Sequence, residues 1–176
     1  IEPDLCGLIY KTAMVNGDVE VYDTLKKIYE TTGLADEKRR AFTALASSSK
    51  SSLQQKTLNW ALLSGEVRNQ DVPTIISAVS NSKNGGEVCW DFFKTNFQAI
   101  NANFSEGQSF LLGRLVSSCI SNLKSLDHVN DVESFFNTNP VPSAARRVQE
   151  SLEKIRLIAK RRKREIEPLK AYFKKK

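Results

Sequence analysis

The stretch from Asn139 to Arg156 constrains this chain most, because it holds the sharpest stop and start signals in the sequence. Pro140 and Pro142 cannot extend a preceding helix and bias the residue before each away from the α region, so whatever comes before must end near Asn137. Ser143 then reads as an N-cap whose hydroxyl accepts from the first turn, while Arg146 at the N3 position rules out a reciprocal capping box. From there Ala144, Val148, Leu152, Ile155 and Ala159 recur every three or four residues, the apolar stripe of a helix that lies on something.

The same punctuation runs back through the chain. Asp4 is placed to cap a helix on Leu5, Leu8, Ile9, Ala13 and Met14, which Asn16-Gly17 closes with a left-handed residue. Asp18 caps the next, on Val21, Leu25, Ile28 and Tyr29, ending at Gly33. Helices over about 36–46 and 52–63 follow, and the serine run 47–52 between them supplies capping residues, since it lacks the glycine spacing of a phosphate cradle. Ser64 to Asp71 is a longer polar connection, after which Asp71 caps a helix with Pro73 in its first turn and Ile75, Ile76 and Val79 buried. Val88, Cys89, Trp90, Phe92, Phe93, Phe97, Ile100 and Phe104 form an aromatic centre at helical spacing, which reads as core. Gly107 precedes a helix on Phe110, Leu111, Leu115, Val116 and Ile120, and another spans 126–136. No segment shows a trustworthy period of two. The fold class is therefore all-α, about ten helices joined by short links that make neighbours antiparallel. Their spacing favours a HEAT/armadillo-like superhelical stack of antiparallel helix pairs over a compact bundle. At 176 residues this is one helical-repeat domain, 1–176, with 143–176 as a basic closing segment.

The chemistry that is missing narrows function. No His-Glu-x-x-His, Gly-x-Ser-x-Gly or phosphate-loop motif occurs. His128 is the only histidine, and Cys6, Cys89, Cys119 and His128 do not have the spacing of a zinc module, so no metal site or cofactor is expected in this chain and it is not expected to be an enzyme. Three widely separated cysteines read as small buried hydrophobes in a reducing, cytoplasmic compartment. No apolar run reaches the ~20 residues of a transmembrane helix, the acidic start is unlike a signal peptide, and no membrane partner is expected. The absence of an initial Met suggests a fragment of a longer chain.

The net charge of +6 is asymmetric: residues 1–140 hold 13 Lys/Arg and 16 Asp/Glu, a balance of −3, whereas 141–176 hold 13 and 4, a balance of +9. The excess lies in Arg156, Lys160, Arg161, Arg162, Lys163 and Arg164, with Lys170 and Lys174 to Lys176. Arg156, Lys160 and Arg164 share one helical face, where like charges repel. No aromatic residue interleaves the cluster and Glu150, Glu153, Glu165 and Glu167 offer partners, so a solvated face is favoured over a nucleic-acid site. The alternative is a helical-repeat adaptor that binds a protein or nucleic acid through this helix. Pro168 is expected to break or restart it.

Across its length the chain also resembles the C-terminal part of puromycin-sensitive aminopeptidases, of the gluzincin zinc aminopeptidase family. The resemblance rests on Asp4-Leu5, Val15-Asn16-Gly17-Asp18, Glu66 to Asp71, Trp90 to Phe97, and Phe135-Phe136 followed by Asn139 to Ala144 with Arg146, Arg147 and Gln149. It implies a HEAT-like helical domain whose concave side encloses a peptide-filled cavity over an upstream catalytic zinc domain. That domain would supply the zinc, the His-Glu-x-x-His and the Gly-x-Met-x-Asn motif, so no catalytic residue is carried over. Peptide substrate and the upstream domain are the implied partners. Two positions depart from the family: Lys160 to Lys163 stand where Trp-Leu and a basic residue are usual, and Phe97 stands for Trp. The resemblance also implies that apolar side chains near residues 1–30 are covered in a parent enzyme. Arg68, Gln70 and Asp71 are the candidate peptide-facing residues, because a polar loop with this much hydrogen-bonding capacity stands out among short connections.

Overall fold

A computed structural model describes residues 3–105 and 109–174, and those residues are helical throughout their regular structure. Ten α-helices are found among them: α1 Pro3–Asn16, α2 Val19–Thr31, α3 Ala35–Leu45, α4 Ser51–Leu63, α5 Val72–Asn81, α6 Gly85–Thr95, α7 Phe97–Ser105, α8 Ser109–Ile120, α9 Leu126–Thr138 and α10 Ala145–Lys174, with a 3-10 turn at Pro142–Ala144. α1 and α2 pack on α3; α5 packs on α3, α4, α6 and α8; and α8 in turn carries α7, the 3-10 turn and α10. One buried cluster therefore runs without a break from Met14 to Ile155. Its centre is Trp90, 1% exposed, whose ring meets Phe135 edge-on at 5.2 Å and stacks near Phe93 at 5.9 Å, so α6 and α9 share one aromatic core. Burying each such ring contributes on the order of 2–3 kcal/mol.

Local chemistry accounts for several boundaries. Asp18 Oδ1 accepts from the amides of Glu20 and Val21 and caps α2. Ser125 Oγ accepts from the His128 amide at 3.2 Å and caps α9. α6 starts directly after Asn84, whose φ of 58° is left-handed, and Gly85 fits because a Cβ there would lie 1.8 Å from the Val79 carbonyl oxygen. The buried Gln54 amide donates to the Ser48 and Lys83 carbonyls at 2.9 and 2.8 Å, tying the α3–α4 connection to the α5–α6 connection.

Other boundaries correct the sequence reading. Ser143 is not an N-cap: it sits inside the 3-10 turn, which follows Val141, and α10 begins only at Ala145. Pro142, with its φ already fixed in the helical range, starts the turn one residue before Ser143, and the turn hydrogen-bonds Ala144 N to the Val141 carbonyl at 2.9 Å. The serine run does not cap α4 either; Lys50 holds the cap position without a side-chain bond, while Ser49 Oγ donates to the Val15 carbonyl and joins α1. Gly17 is not left-handed, Gly65 being the one described glycine with positive φ; Gly17 is required because a Cβ would meet the Ala13 carbonyl oxygen at 2.6 Å. Pro168 does not stop α10, which continues to Lys174. Pro168 is exposed, and at a solvent-surrounded helix end water can satisfy the carbonyl that the proline ring frees.

Some apolar side chains turn outward. α1 meets α3 through Cys6, Tyr10 and Met14, four residues apart, so Leu5, Leu8 and Ile9 are exposed by 48, 64 and 42%. Phe110 is likewise exposed, with the Arg147 guanidinium 5.4 Å from its ring. The Asp4 side chain, Gly107, the side chain of Glu167, and the terminal cluster of the Lys174 side chain, Lys175 and Lys176 lie outside the described residues.

Candidate functional site

The connection between α4 and α5 is long and polar, yet it is anchored at both ends. Ser64 Oγ donates to the Trp60 carbonyl at 2.7 Å and accepts from the Glu66 amide at 3.1 Å, Gly65 takes a φ of 76°, and Val67 is buried. The Asp71 amide closes onto the Arg68 carbonyl at 2.8 Å. This fixes the turn that presents Arg68, Gln70 and Asp71, and all three line one depression of about 400 Å³ together with Tyr29, Asp36 and Arg39. Arg68 and Gln70 are exposed and Asp71 is half-buried. Asp71 occupies the N-cap position of α5 with helical backbone angles and no side-chain cap bond. Among the described residues it forms no ion pair with Arg68. Two opposite charges and an amide thus face the depression with their polar atoms open to a ligand.

The wall beneath is cross-linked by side-chain hydrogen bonds. Glu66 Oε2 accepts from Lys26 Nζ at 2.6 Å and from Trp60 Nε1 at 3.0 Å, and Lys26 Nζ also reaches Glu30 at 2.7 Å and lies 4.8 Å from the Trp60 ring centroid. The Lys26 hydrogen bond holds the Glu66 carboxyl below its ordinary range. Tyr29 meets Trp60 edge-on at 4.9 Å, and burial pushes its phenol up, with the Asp71 carboxylate adding to the effect. The site therefore combines an aromatic wall, a fixed carboxylate and a guanidinium around one concave surface. Tyr29, Asp36 and Arg39 come from α2 and α3 and have no spacing relation to Arg68 that sequence reading could use.

The basic residues of α10 divide into paired and unpaired cations. Arg156 pairs with Glu133 of α9, while Arg161 and Arg164 reach Glu165 at 2.9 and 3.1 Å. Lys160, Arg162 and Lys163 are exposed, and Arg162 and Lys163 turn toward the start of α9. The pivotal stretch lines a depression of its own, about 500 Å³ between Phe136, Pro140, Pro142, Arg146 and Gln149.

Zinc, which the family resemblance implies for an upstream domain, does not suit the residues here. Burial pushes the Cys89 thiol up to about 12 and Cys119 well above its ordinary value, opposing the thiolates zinc needs. His128 Nδ1 lies 2.8 Å from Ser125 Oγ, and no group of three or more His, Cys, Asp and Glu able to hold a metal occurs among the described residues.

The ERAP1-like C-terminal domain family matches residues 1–157. Aminopeptidase M1 of Arabidopsis thaliana is 33% identical over 162 residues, covering 90% of this chain and 18% of that protein. Aminopeptidase M1-A of Oryza sativa subsp. japonica is 36% identical over 139 residues, covering 79% of this chain and 15% of the relative. Aminopeptidase Ey of Gallus gallus is 25% identical over 159 residues, covering 89% and 16%. The chain thus spans less than a fifth of the length of these relatives. No helix among the described residues is long and apolar enough to cross a membrane.

Proposed function

The chain belongs to the ERAP1-like C-terminal domain family, and from that premise we propose that it is the non-catalytic C-terminal domain of a zinc aminopeptidase. In this reading residues 1–176 form one HEAT-like helical-repeat domain, closed by 143–176, that packs on an upstream catalytic domain and encloses its active-site cavity in the cytoplasm. The zinc and the bond-breaking residues belong to that upstream domain; this chain binds the peptide away from the scissile bond and helps select it by length or C-terminus.

The observation that carries the reading is the convergence of Arg68, Gln70 and Asp71 on one depression backed by Tyr29. A guanidinium with no carboxylate bonded to it attracts a peptide carboxylate, and the neighbouring amide and Asp71 suit main-chain groups. Such contacts act on a long peptide and not on a short one that ends near the zinc. In the full-length enzyme, Arg68→Ala is expected to reduce kcat/KM for long peptides by about tenfold, the scale of one lost charge-assisted hydrogen bond, while a dipeptide reporter is unchanged. Equal effects on both substrates, or none, would refute the assignment.

A further inference from the structure

α10 carries an apolar stripe that is covered for only half its length. Val148, Leu152 and Ile155 are buried where α10 packs on α8 and α9. The same alternating steps of four and three continue through Ala159, Arg162, Ile166, Leu169 and Phe173. Along that continuation burial fades: Ala159 and Ile166 are half-buried, Leu169 is 55% exposed and Phe173 70%. A seven-residue repeat of this length, apolar at every position but Arg162, is the pattern of a helix that keeps one face against a neighbour throughout. Here the covering helix runs out at the beginning of α9.

Charge is sorted along the same line. A groove of about 600 Å³ between the start of α9 and this half of α10 is lined by apolar Leu126 and Ile166 and by cationic Lys124, Arg162, Lys163 and Lys170. Among the described residues no carboxylate lines it. Arg146, Arg156, Arg161 and Arg164 of α10 have carboxylate partners, and none of these four lines it. Lys124, Arg162 and Lys163 form no ion pair among the described residues. Like charges this close repel unless an anion is brought to them.

We propose that this groove docks an acidic amphipathic helix of a partner protein. Its apolar side extends the core onto Leu126, Ile166, Leu169 and Phe173, and its carboxylates meet Lys124, Arg162 and Lys163, the helix-in-groove mode of recognition with charge setting the choice of partner. A second copy of α10 brings the same cations and is repelled. A nucleic acid answers the charge but leaves the apolar stripe in water, and a flat bilayer cannot enter a groove whose other wall is α9. The groove residues of α10 lie beyond residue 157, where the family match ends, so the assignment stands independently of the aminopeptidase reading.

The test uses the 176-residue chain and fluorescence anisotropy with a labelled synthetic helix of about three Leu/Glu heptads. Four competitors accompany it: the same composition scrambled off one face, a single-stranded oligothymidylate, phosphatidylserine-containing vesicles and unlabelled chain. Helix binding is expected to weaken about tenfold or more in Arg162→Glu and in Ile166→Ser/Leu169→Ser, and less than about twofold in Lys160→Glu, which makes the same charge change outside the groove. Circular dichroism and urea midpoints of the variants, all at exposed or half-buried sites, verify that each remains folded. The scrambled peptide is expected to bind about tenfold more weakly than the helix. The proposal is overturned if the helix does not bind at low salt, if scrambled and amphipathic peptides bind alike, or if Lys160→Glu matches Arg162→Glu. It is equally overturned if oligonucleotide or vesicles outcompete the helix, or if the chain sediments as a dimer that excludes it.

Discussion

Trp90 and Asp131 are joined across 41 positions by a hydrogen bond in which the indole Nε1 donates to Oδ2 at 2.6 Å, linking α6 to α9 at the edge of the aromatic core. The same oxygen accepts from Lys94 Nζ at 2.7 Å, and that ammonium lies 5.3 Å from the Trp90 ring centroid. Trp60, Lys26 and Glu66 repeat the arrangement near the other end of the chain, with the indole at 3.0 Å and the ammonium at 2.6 Å from one carboxylate oxygen. In each case one carboxylate satisfies a partly buried indole N–H and fixes a lysine over the ring, so a polar bond holds an apolar packing in register.

Asp131→Ala removes both bonds and leaves the Trp90 N–H without its acceptor. Hydrogen bonds to charged groups contribute about 1.5–3 kcal/mol when sheltered, and Asp131 is half-exposed, so urea denaturation is expected to show a loss of about 1–2 kcal/mol. Asp23→Ala removes only the exposed pair with Lys56 and is expected to cost less than about 0.5 kcal/mol.

The two carboxylates also set a pH dependence. Burial raises the Asp131 pKa, but the hydrogen bonds from Lys94 and Trp90 outweigh it and the net direction is down; the Lys26 hydrogen bond lowers Glu66. A carboxylate depressed in the folded state binds more protons when unfolded, so stability from these groups is complete above the unfolded range near about 4 and is lost as pH falls through the folded values. Urea midpoints are expected to be level with respect to these groups above about pH 5 and to fall below about pH 4. The fall is expected to be shallower in an Asp131→Asn/Glu66→Gln double variant, and an equal slope in that variant contradicts the attribution.

Legibility followed the range of the physics. Asp18 was readable as a cap because capping is decided within three residues, and the aromatic centre because Trp90, Phe93, Phe97, Ile100 and Phe104 repeat at helical spacing. α1 was readable as a helix but not in rotation: Leu5, Leu8 and Ile9 offer a stronger apolar face than Cys6, Tyr10 and Met14, and only the position of α3, with Glu37 accepting from the Tyr10 hydroxyl at 2.6 Å, decides which is buried. Around the candidate site, the polar loop with Arg68, Gln70 and Asp71 stood out by composition. Tyr29 and Asp36 did not, because tertiary packing of α2 and α3 brings them there. Gly17 and Pro168 depart from the sequence expectation for one reason: each rule describes backbone preference, whereas the outcome depends on a neighbouring carbonyl in one case and open solvent in the other.

The glycines separate close approach from mere permissiveness. Gly85→Ala places a methyl 1.8 Å from the Val79 carbonyl oxygen, a backbone atom that cannot move without unseating the end of α5. A loss of about 3 kcal/mol or more, or failure to express in soluble form, is expected. Gly33→Ala meets nothing within 4 Å and is expected to change the urea midpoint little or raise it slightly. Comparable losses at the two positions show that the α5–α6 turn is not constrained as described.

The cysteines provide a probe of the core that needs no substitution. Cys89 and Cys119 are each 1% exposed, and burial disfavours both thiolates, Cys89 reaching about 12 and Cys119 shifting upward with Cys89 adding to the effect. Cys6, on α1, is only half-buried. Because the thiolate is the reacting form, a maleimide at neutral pH is expected to modify Cys6 first, with Cys89 and Cys119 reacting only as the chain opens. Mass spectrometry is expected to find one adduct at early times in buffer and three in denaturant. Cys119 and Cys89 gain label together if α5, α6 and α8 open as one unit, since Cys89 Sγ lies 3.8 Å from the Ile76 carbonyl oxygen of α5 and both thiols belong to the same buried cluster. Rapid labelling of Cys89 with Cys119 still protected means instead that α6 detaches from α8 alone, and the continuity of the core ends there.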